Sequence, residues 1–314
     1  LVGTSPSPCE FDVPFEATPV TARLKLVMDP GESTRRLRVG MRLDKYRLVK
    51  KLGEGGFATV YSAHDTIEDR DVALKIPESH SSDDHQSADD LQREVRIMAS
   101  LSHESILPLK DARYIDGHFV MVFPLGEETL HDRLGRRMAR ATTLDYVRQM
   151  TSAVAYAHER RVLHRDIKPE NFILFPNSKI CLTDFGLARI ERGRHAVSAS
   201  GTLGYIAPEQ AMGKPTYRSD VFSLGLVIYR MLSGSLPEYP FEAPLPSYAK
   251  LRRGLNQEFV DWIRKSMDPK PLKRFRDGVA MANALDRIKS LTVPGSATGT
   301  TSTRSTRHRT RRVA

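Results

Sequence analysis

A chain of 314 residues, 40% of them hydrophobic, is long enough for one large two-lobed domain or two small ones with a sizeable core. Of the formal net charge of +10, five charges are Arg304, Arg307, Arg309, Arg311 and Arg312 in the acid-free stretch 301–314, so the rest is only mildly basic and specific nucleic-acid binding is not expected. The two cysteines, Cys9 and Cys181, lie too far apart in context for a disulfide framework or zinc site, no run of about 18 apolar residues spans a membrane, and no signal peptide is read, which together fit a reducing, cytoplasmic compartment.

The chain opens on Leu1 rather than Met, the form of a fragment. Residues 1–40 are rich in Pro, Ser, Thr and charge, so an extended, poorly ordered arm is expected, with one short strand at Ala22–Met28. From Tyr46 the pattern turns β-rich. Tyr46–Val49 leads into Lys51-Leu52-Gly53-Glu54-Gly55-Gly56-Phe57-Ala58-Thr59-Val60-Tyr61, a hairpin whose glycines let backbone lie close over phosphates, although a plain tight turn reads the same way. The strand Asp71–Ile76 sets Lys75 in an apolar run, where an unpaired ammonium is costly. Beyond a polar loop at 79–90, Leu91, Val95 and Met98 share one helical face, and Glu94 on that helix is either a solvated charge or the partner of Lys75.

Two strands follow, Leu107–Tyr114 and His118–Phe123, with Asp116-Gly117 as the turn. Helices are expected at Thr129–Arg137, with Thr129 as cap, and at Thr143–Arg160, with Leu144, Val147, Val154 and His158 along one side. A strand at Ile180–Thr183 precedes Asp184-Phe185-Gly186, and Cys181 alternates into the core. Asp220 opens an apolar helix, Val221–Leu232, that stops at Gly234. A proline-rich segment at Pro237–Pro246 and helices at Gln257–Met267 and Gly278–Ile288 complete the lobe; residues 292–314 lack the composition of a core and read as a disordered basic Ser/Thr/Arg tail.

The chemistry concentrates in His164-Arg165-Asp166-Ile167-Lys168-Pro169-Glu170-Asn171. Phosphoryl transfer asks for such a set: Asp166 to accept or orient the proton of an attacking hydroxyl, Lys168 to neutralise developing charge, and Asn171 to hold Mg²⁺. The stretch resembles the catalytic loop of eukaryotic-type (Hanks-type) protein kinases, and Lys168 two residues after Asp166 is the serine/threonine-class pattern. Gly53, Gly55 and Val60 resemble the family's glycine-rich loop, with Ala58 where a third glycine would stand; Val-Ala-Leu-Lys75 resembles its lysine strand, Asp184-Phe185-Gly186 its metal-binding triplet, and Ala207-Pro208-Glu209 the close of its activation segment. The resemblance covers about Tyr46 to Leu291 and looks most like bacterial members.

That resemblance implies an α+β, two-lobed fold, with a small β-rich lobe at about 41–123, a larger helical lobe at about 125–291, and ATP in the cleft. It implies Lys75 on the α/β-phosphates paired with Glu94, and Mg²⁺ (or Mn²⁺) on Asn171 and Asp184. Leu52, Gly53, Gly55, Val60, Ala73, Met121, Phe123 and Ile173 would surround the nucleotide, with Val122-Phe123-Pro124 as the hinge. Phe185 would stack with Met98, Leu109 and His164, Glu209 would pair with Arg274, and Asp220 would hold the catalytic-loop backbone. Arg165 would receive a phosphate from the segment 187–204, where Ser198, Ser200 and Thr202 are candidate sites, or is simply a loop arginine in water. Partners implied are ATP, protein substrates with Ser/Thr acceptors, and another copy of the chain for autophosphorylation in trans. Glu127, Glu128 and Glu170 would line the cleft rim and favour arginine near the acceptor, which makes the tail either an autophosphorylation site or a plain linker. The rival class, an ATP-binding pseudokinase or scaffold module, would show itself by losing Lys75, Asp166 or Asp184, and none is missing.

Overall fold

The computed structural model describes residues 36–55, 58–77, 88–185, 202–241 and 243–293. The expected strand at Ala22–Met28, the tail from 294 onward, Gly186, Ser198 and Ser200 lie outside the described residues.

Six strands form one antiparallel sheet: β1 (Arg42–Leu43), β2 (Tyr46–Glu54), β3 (Ala58–Asp65), β4 (Arg70–Pro77), β5 (Asp111–Ile115) and β6 (His118–Pro124), in the order β1-β2-β3-β4-β6-β5. Helix α1 (Ala88–Ser100) enters between β4 and β5 in the chain. Side-chain alternation divides this sheet between two cores. Val72, Leu74 and Ile76 of β4 and Val120 and Val122 of β6 join Leu43, Tyr46 and Leu48 in a small cluster. The intervening Met121 and Phe123 join a larger cluster that takes in Met98 of α1 and the helical part of the chain. Lys75, between Leu74 and Ile76, therefore faces away from the small core.

Asp116 and Gly117 turn β5 into β6 with φ of 48° and 78°, the paired left-handed geometry of a tight hairpin. The first of these strands is shorter than the expected Leu107–Tyr114. Pro108 has no N–H to give a ladder, and its neighbours bond elsewhere: Leu107 N–H donates to the Leu182 carbonyl and Leu182 N–H to the Ser105 carbonyl, each at 2.9 Å.

The remaining elements are β7 (Glu128–Thr129), α2 (Leu130–Leu134), α3 (Arg140–Glu159), β8 (Phe172–Phe175), β9 (Lys179–Leu182), α4 (Pro208–Ala211), α5 (Tyr217–Ser233), α6 (Tyr248–Arg252), α7 (Gln257–Ser266) and α8 (Gly278–Asp286). Strands β7, β8 and β9 make a small second sheet. Thr129 caps α2 in a reciprocal box with Asp132, and the helix ends at Gly135, shorter than the period suggested. Helix α5 is buried almost all round, which makes it the axis of this lobe. It starts at Tyr217 rather than Val221 because Thr216 and Ser219 form a capping box, and it stops at Gly234, whose φ of 80° suits glycine. The five-residue α6 carries too little periodicity to be read from sequence. The whole is the expected two-lobed α+β arrangement.

Candidate active site

Strand register alone assembles one wall of the cleft. Gly53 pairs with Val60, Val60 with Lys75, and Lys75 with Met121, so a single row crosses β2, β3, β4 and β6; Ala73 pairs with Phe123 beside it. Two register shifts between Leu48 and Gly53 bend β2. A Cβ added at Gly53 meets nothing within 4 Å and one at Gly55 only the Ala58 carbonyl at 3.8 Å, so the protein itself does not require bare backbone there. Met121 and Phe123 are buried, Val60, Ala73 and Ile173 half-buried, and Leu52 is exposed. Ile173, on β8 in the other lobe, reaches the strand β6 exit: a Cβ on Gly126 would strike its side chain and lie 2.9 Å from the Leu174 carbonyl.

Lys75 makes a charged contact across the lobes. Its Nζ lies 3.1 Å from Glu94 Oε1 on α1 and 2.8 Å from Asp184 Oδ1, two residues past β9. Burial pulls the ammonium down, but the Asp184 and Glu94 charges outweigh it and hold its pKa above the ordinary value. Burial likewise raises Asp184, and Lys75 more than offsets this, so the carboxyl lies below its usual range. Phe185 is fully buried with its ring 4.8 Å from that of His164, edge-on, in the cluster that also holds Met98, with Leu109 packed against it.

The loop between α3 and β8 closes the other side. Lys168 Nζ lies 2.8 Å from Asp166 Oδ2, and Asn171 Nδ2 donates to the Asp166 carbonyl at 2.7 Å and to Oδ2 at 3.0 Å. His164 Nδ1 accepts the Asp166 N–H at 3.2 Å, so its Nε2 carries the proton and donates to the Thr183 carbonyl at 2.8 Å. Asp220, in the first turn of α5, accepts the N–H groups of His164 and Arg165 at 2.8 Å each. Burial raises the Asp220 carboxyl, and the hydrogen bond from His158 leads the opposing effects that leave it below its usual range. Arg165 and Asp184 are held at φ of 67° and 63°, conformations that persist only where surroundings fix them. For Arg165 those surroundings are Asp220 on its N–H and the Gln210 amide on its carbonyl.

Glu209 and Arg274 meet in a two-pronged ion pair at 2.7 and 3.1 Å, with Ser219 Oγ also donating to the carboxylate at 2.7 Å. Three contacts were not visible in the sequence. His158 Nδ1 accepts the Gly278 N–H at 2.8 Å while its Nε2 meets Asp220, tying α8 to the loop's anchor. Arg230 meets Tyr205, and Gly126 clears the strand crossing. Only Gly126 left a trace, as a glycine directly after the run Phe123-Pro124-Leu125. Arg165 Nε, Gln210 Oε1 and Arg218 Nε are buried without a hydrogen-bond partner. Thr202 opens a 3₁₀ turn, Thr202–Tyr205, and residues 187–201 of the expected phosphorylation segment lie outside the described residues. Cys181 is buried as expected, its thiol pushed up by burial.

No helix among the described residues is long and apolar enough to cross a membrane. The chain is 29% identical over 269 residues to the probable serine/threonine-protein kinase PknB of Lactococcus lactis, and 32% over 265 residues to the serine/threonine-protein kinase PknD of Mycobacterium tuberculosis. Those matches take in 78% of this chain and 43% and 40% of the relatives, so the chain spans less than half the length of either. Among solved structures, the PknI kinase domain of M. tuberculosis superposes with a TM-score of 0.61 at 24% identity, over 80% of this chain and 99% of that one. A structure described as PpkA-294, apo form, gives 0.66 at 23%, over 81% and 100%. Both share the fold. The model of the protein kinase domain family matches residues 46–278, and the chain belongs to that family.

Proposed function

We propose that this chain is an ATP-dependent serine/threonine protein kinase domain, transferring the γ-phosphoryl group of ATP to hydroxyls of protein substrates. The observation that carries the reading is Lys75, a buried ammonium held at once by Glu94 and Asp184, because a cation so fixed across two lobes suits the phosphates of a nucleotide lying between them. Asp166 orients the acceptor hydroxyl and takes up its proton at Oδ1 or Oδ2, Lys168 and Lys75 neutralise charge on the transferring group, and Glu94 positions Lys75. The bare backbone at Gly53 and Gly55 lies over the phosphates; Leu52, Val60, Ala73, Met121, Phe123 and Ile173 enclose the base.

The donor set suits a hard divalent cation. Asn171 gives its Nδ2 to Asp166 and Asp184 gives Oδ1 to Lys75, which leaves Asn171 Oδ1 and Asp184 Oδ2 as oxygen ligands. A divalent cation, Mg²⁺ or Mn²⁺, held there would supply positive charge that shields the phosphates. Arg165, with no acidic partner among the described residues, supports activation by phosphorylation at Ser198 or Ser200, carried out by a second copy; Thr202 is less favoured as the regulatory site.

Incubation with labelled ATP and Mg²⁺, offering one acidic and one basic protein substrate, tests the proposal beside Asp166→Asn. Label on Ser or Thr that needs the divalent metal and falls by roughly 10²–10⁴-fold in the variant is expected. Equal labelling by the two proteins would overturn it. For the regulatory site, Ser198→Ala with Ser200→Ala should lower turnover while nucleotide binding persists.

A further inference from the structure

The helical lobe carries a groove that shares no residue with the cleft holding Lys75 and Asp166. Its volume is about 820 Å³, within the range of ligand-binding sites. Leu226 of α5 and Met267, just past α7, form a buried floor, and Phe241, Leu245 and Tyr248 are half-buried walls. Two contacts fix the wall that leads into α6. The Tyr229 hydroxyl donates to the Pro246 carbonyl at 2.7 Å, and the Ser235 and Ser247 hydroxyls meet at 2.8 Å. Phe241 packs edge-on against Phe222 of the main core.

The rim is cationic. Arg264, Lys265 and Lys273 line it and are exposed, with Asp261 and Asp268 beside them. Asp261 lies 3.9 Å from Arg264 Nη1, beyond hydrogen-bond reach, and accepts from Gln257 at 3.0 Å. Asp268 Oδ1 accepts the Lys270 N–H at 2.9 Å. Lys265 and Lys273 have no carboxylate partner among the described residues; Lys265 rests over the Phe275 ring, 4.6 Å from its centroid. Residues 248–276 hold nine Lys or Arg against three Asp or Glu, so the positive excess surrounds the groove rather than belonging to one helix. An apolar floor under such a rim suits a ligand that carries bulky apolar groups and carboxylates together.

The chain's own sequence contains that pattern in Glu10-Phe11-Asp12-Val13-Pro14-Phe15-Glu16. In an extended peptide of this sequence Phe11, Val13 and Phe15 share one side, and Glu10, Asp12 and Glu16 the other. Pro14 fixes its own φ and biases Val13 toward extended backbone, so less order is lost on binding. We propose that the groove is a docking site for an extended acidic peptide segment of this kind. Its aromatic side chains reach the floor of Leu226 and Met267, and its carboxylates meet Arg264, Lys265 and Lys273. The proposal needs neither nucleotide nor phosphoryl transfer, so it stands apart from the kinase reading. A membrane surface fits less well, because the apolar floor is recessed, whereas a bilayer takes up apolar groups that project.

A fluorescently labelled peptide of residues 10–18 tests this against the full chain, itself carrying Phe11→Ser and Phe15→Ser so that its own segment does not compete. Anisotropy should show saturable binding without ATP. Replacing both phenylalanines of the peptide by Ser should weaken binding about 10-fold or more. Neutralising one of its carboxylates should weaken it about 2- to 5-fold at low salt and less as salt rises. These peptide variants are read on one protein, so folding cannot account for their effects. On the protein side, Lys265→Glu with Lys273→Glu should weaken binding, and Lys265→Arg with Lys273→Arg should preserve it. Absence of saturable binding overturns the proposal, as does equal binding of a scrambled peptide with its acids and aromatics in separate blocks. Binding that the two Glu substitutions leave unchanged places the peptide elsewhere and overturns it too. Phosphatidylglycerol vesicles held through the same two lysines, with the peptide unbound, would assign the surface to lipid instead.

Discussion

Lys75 and Asp166 are both charged residues of one cleft, yet they face opposite physical demands. Lys75 and Glu94 are nearly inaccessible to water, and their burial is tolerated only because the charges meet. Asp166 stays partly open to solvent and is oriented by Asn171 and Lys168 rather than compensated by a buried partner. The two should separate in experiment. Lys75→Met takes the ammonium from both Glu94 and Asp184 and should cost about 3 kcal/mol or more of stability along with activity. Asp166→Asn should lower transfer by roughly 10²–10⁴-fold while the thermal midpoint stays nearly constant. Calorimetry beside a transfer assay checks both, and a large drop in midpoint for Asp166→Asn would show that its role is structural.

At the scale of elements, α4 is anchored to the segment before α8 by Glu209 and Arg274, the arginine side chain being wholly buried. Burial raises the Glu209 carboxyl, but Arg274 and Ser219 more than offset it, so its folded pKa lies below the ordinary 4.5. The folded state therefore binds fewer protons in acid than the unfolded chain. The stabilisation is complete above the unfolded value and lost as pH falls through the folded one. Unfolding midpoints followed from neutral pH into acid should fall less steeply in Glu209→Gln than in wild type; parallel curves would exclude this pair as a source of acid sensitivity. Arg274→Ala, which strands the carboxylate, should cost about 3–5 kcal/mol at neutral pH. Gly126 works by absence: Gly126→Ala pushes a methyl into Ile173 and the Leu174 carbonyl, an overpacking cost of about 1–3 kcal/mol that denaturant titration would register.

These elements also mark what could be read from sequence. Helices with several turns of apolar period, such as α3, α5 and α7, were legible within a few residues, and so was the hairpin at Asp116-Gly117, because each is specified locally. The Lys75–Glu94 and Glu209–Arg274 pairs were legible only through family resemblance, since 19 and 65 residues separate the partners. What failed were features decided by tertiary partners. The expected strand start at Leu107 was lost because the Leu107 N–H went to the Leu182 carbonyl and Pro108 has no N–H to give, and the meetings of His158 with Gly278 and of Arg230 with Tyr205 have no local signal.

For the whole molecule, the division of the apolar interior does not follow the division into lobes. The small cluster belongs to the sheet alone, but the large one runs from Met98, Met121 and Phe123 of the β-rich lobe into Phe172, Phe185 and the buried length of α5. Phe185 lies where these meet, and it also fixes the edge of His164, whose Nδ1 orients the Asp166 backbone. Such a shared core should make the lobes unfold together. The single tryptophan, Trp262, is buried in α7 and reports on the helical lobe, whereas far-ultraviolet circular dichroism reports on both. In wild type the two probes should give coincident urea transitions. Phe185→Ala removes a fully buried ring and should cost about 3–5 kcal/mol. Its cavity also weakens the joint between lobes, so the transitions should separate, with the tryptophan signal persisting to higher urea than the dichroism. Activity should fall as well, although Phe185 is assigned no contact with phosphate or metal, because Asp184 and His164 lose the ring between them. Separate transitions in the wild-type protein would mean that the two lobes fold independently and that the shared cluster does not couple them.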